Sequence, residues 1–251
     1  MRTLFATILC LNTLTAQPKQ QRRAPDSKTL QVEGSARTYL LTQPVQRSQA
    51  IPVVIVLHGA GGSGEKVARF TRLHTSPFIR TALVVYPDNL GQNNDIAFLK
   101  TLIEELLKTD KALDRTRIFA VGINNGGSFA MRLGCELNDK IAAVASVGGP
   151  FPKSLQQTCK PADPVPVLYF QSGVAGEETF EFWSKTNQCS GVPLIEDRSG
   201  ETPAKIHIAK KCKEGSEVRW IRASTVSDGW QAETAKEIAT FLSRFHRAPR
   251  F

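Results

Sequence analysis

The stretch "AVGINNGGSFAMRLGCE", residues 120–136, decides how the rest of the chain is read. Its first part closes "RIFAVG" at 117–122, a run of the kind that forms a buried strand. Its second part opens the segment Gly126–Leu137, which reads as a helix. Gly122 and Gly126 stand two residues before and two residues after Asn124. A sharp strand-to-helix turn crowds backbone against backbone, and small residues at those two places relieve the crowding. The layout is an elbow that holds one reactive side chain at its apex. Serine is the usual occupant of such an apex, and here it is asparagine.

Upstream, "IPVVIVLHG" at 51–59 is a nearly unbroken β-branched run entering glycines, the mark of a strand buried on both faces. It leads into "LHGAGGSG" at 57–64. Glycines there let the backbone turn and bring N–H groups close to a substrate oxygen. The amides of Ala60 and Gly61, with that of Asn125 after the apex, are the candidates for such an oxyanion hole. A phosphate loop fits less well, because no Gly-Lys-Ser/Thr follows.

The remaining elements alternate. Strands are expected at 37–44, 81–88, 117–122, 141–149, 165–173 and 217–223, and helices at 95–108, with Asp95 capping its start, and at 233–245. Strands interleaved with helices predict a mostly parallel central sheet with helices on both faces, an α/β fold.

Composition narrows the setting. The 251 residues are enough for one domain with a sizeable core. Thirty-two Lys and Arg against 23 Asp and Glu give a net charge of +9, which serves solubility or attracts an acidic polymer, glycan or other acidic ligand. No basic run is interleaved with aromatics, so a nucleic-acid partner is not expected. "MRTLFATILCLNTLTA" at 1–16 has an early arginine, a short apolar run and small residues before Gln17, the pattern of a signal peptide. The apolar run is too short to span a bilayer, and no membrane span is expected elsewhere. The resulting organisation is a signal peptide at 1–16, a flexible leader at 17–36 and a domain at 37–251, secreted after cleavage.

Cys135, Cys159, Cys189 and Cys212 remain after the signal. Four cysteines in an exported protein imply two disulfides among three pairings. Sequential pairing, Cys135–Cys159 and Cys189–Cys212, closes short loops and is the expected one. None of the spacings matches a metal knuckle, and neither metal nor cofactor is called for.

Taken together, "LHGAGGSG", "VVYPD", "DIAFLKTLI", "DRTRIFAVGINNGGSFAMRLGCE", "AAVASVGG", "VPVLYFQSG" and "NQC" resemble the secreted α/β-hydrolase esterases that include polyhydroxybutyrate depolymerases and feruloyl esterases. The resemblance runs through most of 37–245 in the family's order. It implies an α/β-hydrolase fold, a Ser-Asp-His triad, an oxyanion hole and ester substrates on plant polymers or polyesters.

Three departures sit at the triad. The family's elbow serine is Asn124. The acid segment after the strand at 165–172 reads "QSGVAGEE", which puts Ala175 or Gly176 at the acid's place, with Glu177 and Glu178 just beyond. Where the family has a histidine two residues before a tryptophan, "SDGWQ" carries Asp228. A carboxamide is not nucleophilic, because its nitrogen lone pair is delocalised into the carbonyl. A carboxylate of ordinary pKa is a weak base at neutral pH. Of the histidines, His58 belongs to the oxyanion loop, and His74, His207 and His246 fall at no triad position. Ser128, one helical turn past the elbow, should point away, and neither Ser172 nor Ser227 sits in an elbow. The expectation is a catalytically impaired esterase homologue that acts by binding. The alternative is an active ester hydrolase in which Asp228 or Glu177/Glu178 activates water. The hairpin expected at 191–212, with Lys205, Lys210, Lys211 and Lys213, is a solvated edge or a basic lip for an anion.

Overall fold

Seven residues, Ile51–Leu57, are buried at every position and form β3. With both faces covered, the strand has no place for alternate polar residues. Ile51, Val53, Ile55 and Leu57 pack into one core, and Val54 and Val56 into another on the opposite face. β4 (Leu83–Pro87) and β5 (Leu113–Ile123) flank it in parallel. Beyond β5 the parallel series continues through β6 (Ala143–Val147), β7 (Val167–Phe170) and β10 (Val218–Ala223). Antiparallel strands close both sides: β1 (Asp26–Val32) and β2 (Ser35–Thr42) beside β4, and β9 (Ala204–Lys210) and β8 (Gly191–Arg198) beside β10. The order is β1-β2-β4-β3-β5-β6-β7-β10-β9-β8 in one sheet. This is a computed structural model, and it describes residues 25–88, 90–91, 95–199, 203–223, 230 and 232–248.

The helices divide between the two faces. α2 (Asp95–Thr109), α3 (Asn125–Glu136) and α5 (Val174–Thr186) contribute Phe98, Met131 and Trp183 to the core on one face. α1 (Gly64–Thr71) and α6 (Ala232–Leu242) contribute Val67 and Ile238 to the other. A short α4 (Lys153–Thr158) lies between β6 and β7 in the chain. The mostly parallel sheet covered on both faces is the architecture the element order predicts. Among the described residues no helix is long and apolar enough to cross a membrane.

Three expectations are corrected. Residues 26–32 form β1, paired along its length with β2, so the segment 17–36 is not leader throughout. Asp95 does not cap α2. It is that helix's first residue, and its buried carboxylate accepts from Arg37 at 2.6 Å and from the Gly91 N–H at 2.6 Å. The guanidinium of Arg37 also lies 4.3 Å from the centroid of the Phe98 ring, so this ion pair joins β2, α2 and the connection between β4 and α2. The segment beyond Gly173, expected only as the place of the acid, is helical from Val174. The expected signal peptide at 1–16 lies outside the described residues.

Both disulfides pair sequentially, Cys135 with Cys159 and Cys189 with Cys212. The first fastens the last turn of α3 to the end of α4. The second closes the base of the β8–β9 hairpin.

Candidate functional site

β5 ends at Ile123 and α3 begins at Asn125, so Asn124 alone makes the turn. Its backbone sits at φ 50 and ψ −125, a region that strains any residue with a Cβ by about 1–3 kcal/mol. The surroundings hold it there. The Asn124 N–H donates to Val147 O at 2.8 Å, and its carbonyl accepts from the Gly127 N–H at 2.8 Å and the Ser128 N–H at 3.2 Å. A Cβ added to Gly122 would lie 2.0 Å from Gly126 O, and one added to Gly126 would lie 2.4 Å from Leu57 O. The two glycines of the motif are therefore fixed by close approach of three backbone segments. Gly149, which the sequence did not single out, shares the role: a Cβ there would meet Asn124 O at 2.3 Å.

The Asn124 side chain is exposed and makes no capping bond to α3. Its carboxamide lies between Gly59 and Gly148. A Cβ at Gly148 would come within 2.9 Å of Oδ1, and one at Gly59 within 3.7 Å of Nδ2. The apex thus points out of the protein, where a reactive group would meet a ligand.

His58, which precedes the glycines, is buried with both ring nitrogens occupied. Nδ1 donates to Gly59 O at 2.7 Å, and Nε2 accepts from the Leu90 N–H at 3.3 Å. It pins the loop to the connection between β4 and α2 and has no nitrogen left to serve as a base. Gly61 then takes a positive φ of 66, and the Gly62 N–H closes the turn on Gly59 O at 3.0 Å. At the start of α3, the N–H of Asn125 has no intrahelical carbonyl to meet. A cavity of about 570 Å³ opens here, and its lining includes Ala60, Gly61, Asn125, Phe129 and Arg132. The three residues that carry the candidate amides therefore line one cavity. Phe129 and Arg132 were not foreseen as site residues, although they stand four and seven positions beyond Asn125, on the same face of a helix.

The other two positions at which the resemblance places triad residues differ from the first. Ala175 is an exposed residue in the first turn of α5, and its carbonyl accepts from Thr179 Oγ1 at 2.8 Å. Gly176 is pressed on Trp220, whose ring an added Cβ would meet at 2.7 Å, and its carbonyl accepts from the Tyr169 hydroxyl at 2.7 Å. Glu177 is exposed on the same helix, and Glu178 pairs with Lys153 at 3.1 Å. Asp228, with Ser227, lies outside the described residues. Topology puts residue 124 after β5 and residue 175 after β7, both past the C-terminal ends of parallel strands and so along one edge of the sheet.

The other candidate side chains lie elsewhere. Ser128 Oγ donates to Pro150 O at 2.5 Å. Ser172 is exposed in the connection between β7 and α5. His74 shares a hydrogen bond of 2.7 Å with the Tyr86 hydroxyl, which burial holds protonated well above the usual phenol range. His207 stacks on Trp220 at 4.5 Å, and burial, with Arg222 and Lys205 nearby, lowers its pKa. His246 follows α6 and is exposed. Of these residues, none lines the cavity.

No family model matches the sequence. The chain is 28% identical over 173 residues to NocK of Nocardia uniformis subsp. tsuyamanensis, assigned as an esterase, with 60% of this chain and 50% of that protein covered. It is 26% identical over 225 residues to feruloyl esterase B of Piromyces equi, with 74% of this chain and 40% of that protein covered. The chain therefore spans half or less of the length of these relatives. Among solved structures, a thermostable esterase superposes with a TM-score of 0.62 at 17% identity, over 89% of this chain and 63% of that one. An acetyl xylan esterase from Aspergillus awamori superposes with a TM-score of 0.59 at 11% identity, over 79% and 92%. At such identities the structures share the fold with this chain.

Proposed function

From the premise that this chain is an α/β-hydrolase-fold homologue of esterases, we propose that it binds acyl ligands in the cleft beside its elbow and does not hydrolyse them. The observation that carries this reading is the carboxamide of Asn124 at the exposed apex of an otherwise complete elbow. Three amides, those of Ala60, Gly61 and Asn125, border the same cavity and supply donors for a carbonyl or carboxylate oxygen. The group that would attack that carbonyl is missing. Neither nitrogen of His58 is free to replace a base, and position 175 offers only a methyl group. Loss of a nucleophile and its base removes about 10⁶ in rate and leaves only the weak catalysis of binding and oxyanion contacts. Secretion, and a ligand drawn from the polyesters or plant-polymer esters that the family attacks, belong to the same proposal.

The test is hydrolysis of p-nitrophenyl acetate and methyl ferulate by the purified protein, beside a triple variant Asn124→Ser, Ala175→Asp, Asp228→His. The wild-type protein is expected to show no burst of product, and the triple variant to gain turnover. Wild-type turnover well above buffer, abolished by Asp228→Ala, would establish the rival reading. That rival is an active ester hydrolase with a displaced base, and the esterase names of both relatives favour it.

A further inference from the structure

Asn125, Phe129 and Arg132 all border the cavity and all belong to α3. Positions i, i+4 and i+7 form one stripe along a helix, and seven residues advance about 10 Å at the α-helical rise. One end of the stripe is the amide cluster at the elbow. Its middle is an apolar ring. The other end is a guanidinium, 5.9 Å from the Phe129 centroid.

That guanidinium is held weakly. Arg132 Nε meets Glu136 Oε1 at 2.5 Å and Nη2 meets Oε2 at 3.4 Å, with both side chains 40% exposed. A basic residue four positions before an acidic one is the less favourable order on a helix, and an exposed pair of this kind contributes only a few tenths of a kcal/mol. An anion in the cavity therefore competes with Glu136 at little loss. The acid in the cavity wall, Asp95, is already matched by Arg37 and the Gly91 N–H. The net charge of +9 adds a favourable long-range field for an anion.

We propose that the cleft takes an elongated acyl ligand with a second, anionic group about 10 Å from the carbonyl held at the elbow, and that Arg132 binds that anion across Phe129. This rests on the reading of the elbow amides as a carbonyl-binding site. It adds a ligand class, acyl compounds with a remote acid, to a site otherwise defined at one end only.

Calorimetric titration with succinate, adipate, suberate and sebacate, beside octanoate and decanoate, tests it. One carboxylate of each acid stands in for the oxygen at the elbow amides, and the second probes Arg132. Affinity should rise along the dicarboxylate series, and sebacate should bind about tenfold more tightly than decanoate. Arg132→Gln, a substitution of a half-buried side chain, should abolish that advantage, and Glu136→Gln should enlarge it by freeing the arginine. Equal binding of the mono- and dicarboxylates, or an unchanged series in Arg132→Gln, overturns the anion subsite and leaves the elbow reading standing. Failure of every carboxylate to bind overturns both.

Discussion

The site has two halves that have fared differently. The half built by β3, β5 and the start of α3 has the backbone of an elbow: two glycines in forced contact, a residue at positive φ, and Ala60, Gly61 and Asn125 lining one cavity. The half that follows β7 keeps its place at the same sheet edge and carries an alanine and a helix where an acid is expected. The first half is constrained by the packing of the backbone itself, because a Cβ at Gly122 or Gly126 would lie within 2.0 or 2.4 Å of a carbonyl oxygen. Such a constraint acts on folding, whatever chemistry the apex performs. The second half and the apex depend on side chains that folding does not need. On the proposed reading, catalysis can therefore lapse while its scaffold stays.

The largest effects should come from breaking the first half. Gly122→Ala or Gly126→Ala forces a methyl group into backbone atoms that cannot swing aside, and should destabilise the protein by about 4 kcal/mol or more, or prevent its accumulation. Urea unfolding measures this. Ala175→Gly at the second half should shift the same midpoint by less than about 1 kcal/mol, the ordinary helix-propensity difference. Equal losses at the two places would dissolve the distinction.

Next in size is the buried pair that ties β2 to α2 beside the cavity. Asp95→Ala leaves the Arg37 guanidinium in the interior without its acid, at 2% exposure, and should cost about 3 kcal/mol in unfolding free energy. Glu136→Ala removes an ion pair from the cleft's outer end and should cost no more than about 0.5 kcal/mol. Asn124→Gly should move stability the other way. It relieves a residue held at φ 50, and should raise the unfolding free energy by about 1 kcal/mol as an upward shift in Tm.

What could be read from the chain follows the same division. β3 and the elbow are legible because burial on both faces and steric closeness leave marks in residue type. β1 is not: most of "DSKTLQV" is exposed on an edge strand, so no apolar alternation forms. Its one signal is Glu33-Gly34, a two-residue turn with φ of 48 and 77 joining β1 to β2. The start of α5 was hidden by its glycines. Gly176 breaks helical propensity locally, yet it is the residue that lets the helix settle on Trp220. Phe129 and Arg132 follow from spacing once the elbow is placed, but their residue types are those of any amphipathic helix face.

The smallest effect concerns His207, packed against Trp220 and Phe180 on the far side of the second half. Its Nε2 is buried without a hydrogen-bond partner among the described residues. Burial lowers its pKa below the ordinary 6.5, the positive charges of Arg222 and Lys205 lower it further, and Glu177 opposes them. The unfolded chain then binds more protons than the folded one from the ordinary histidine value down to the depressed one. Stability must rise with pH through that window and fall as the medium is acidified through it. His207→Gln removes the titrating group and should flatten the pH dependence of the unfolding free energy just below the ordinary histidine value. Glu177→Gln removes an opposing charge, so it should lower the His207 pKa further and move the rise to lower pH. NMR titration of the His207 ring reads that displacement directly. An unchanged His207 titration on loss of Glu177 would mean that the carboxylate does not face the imidazole.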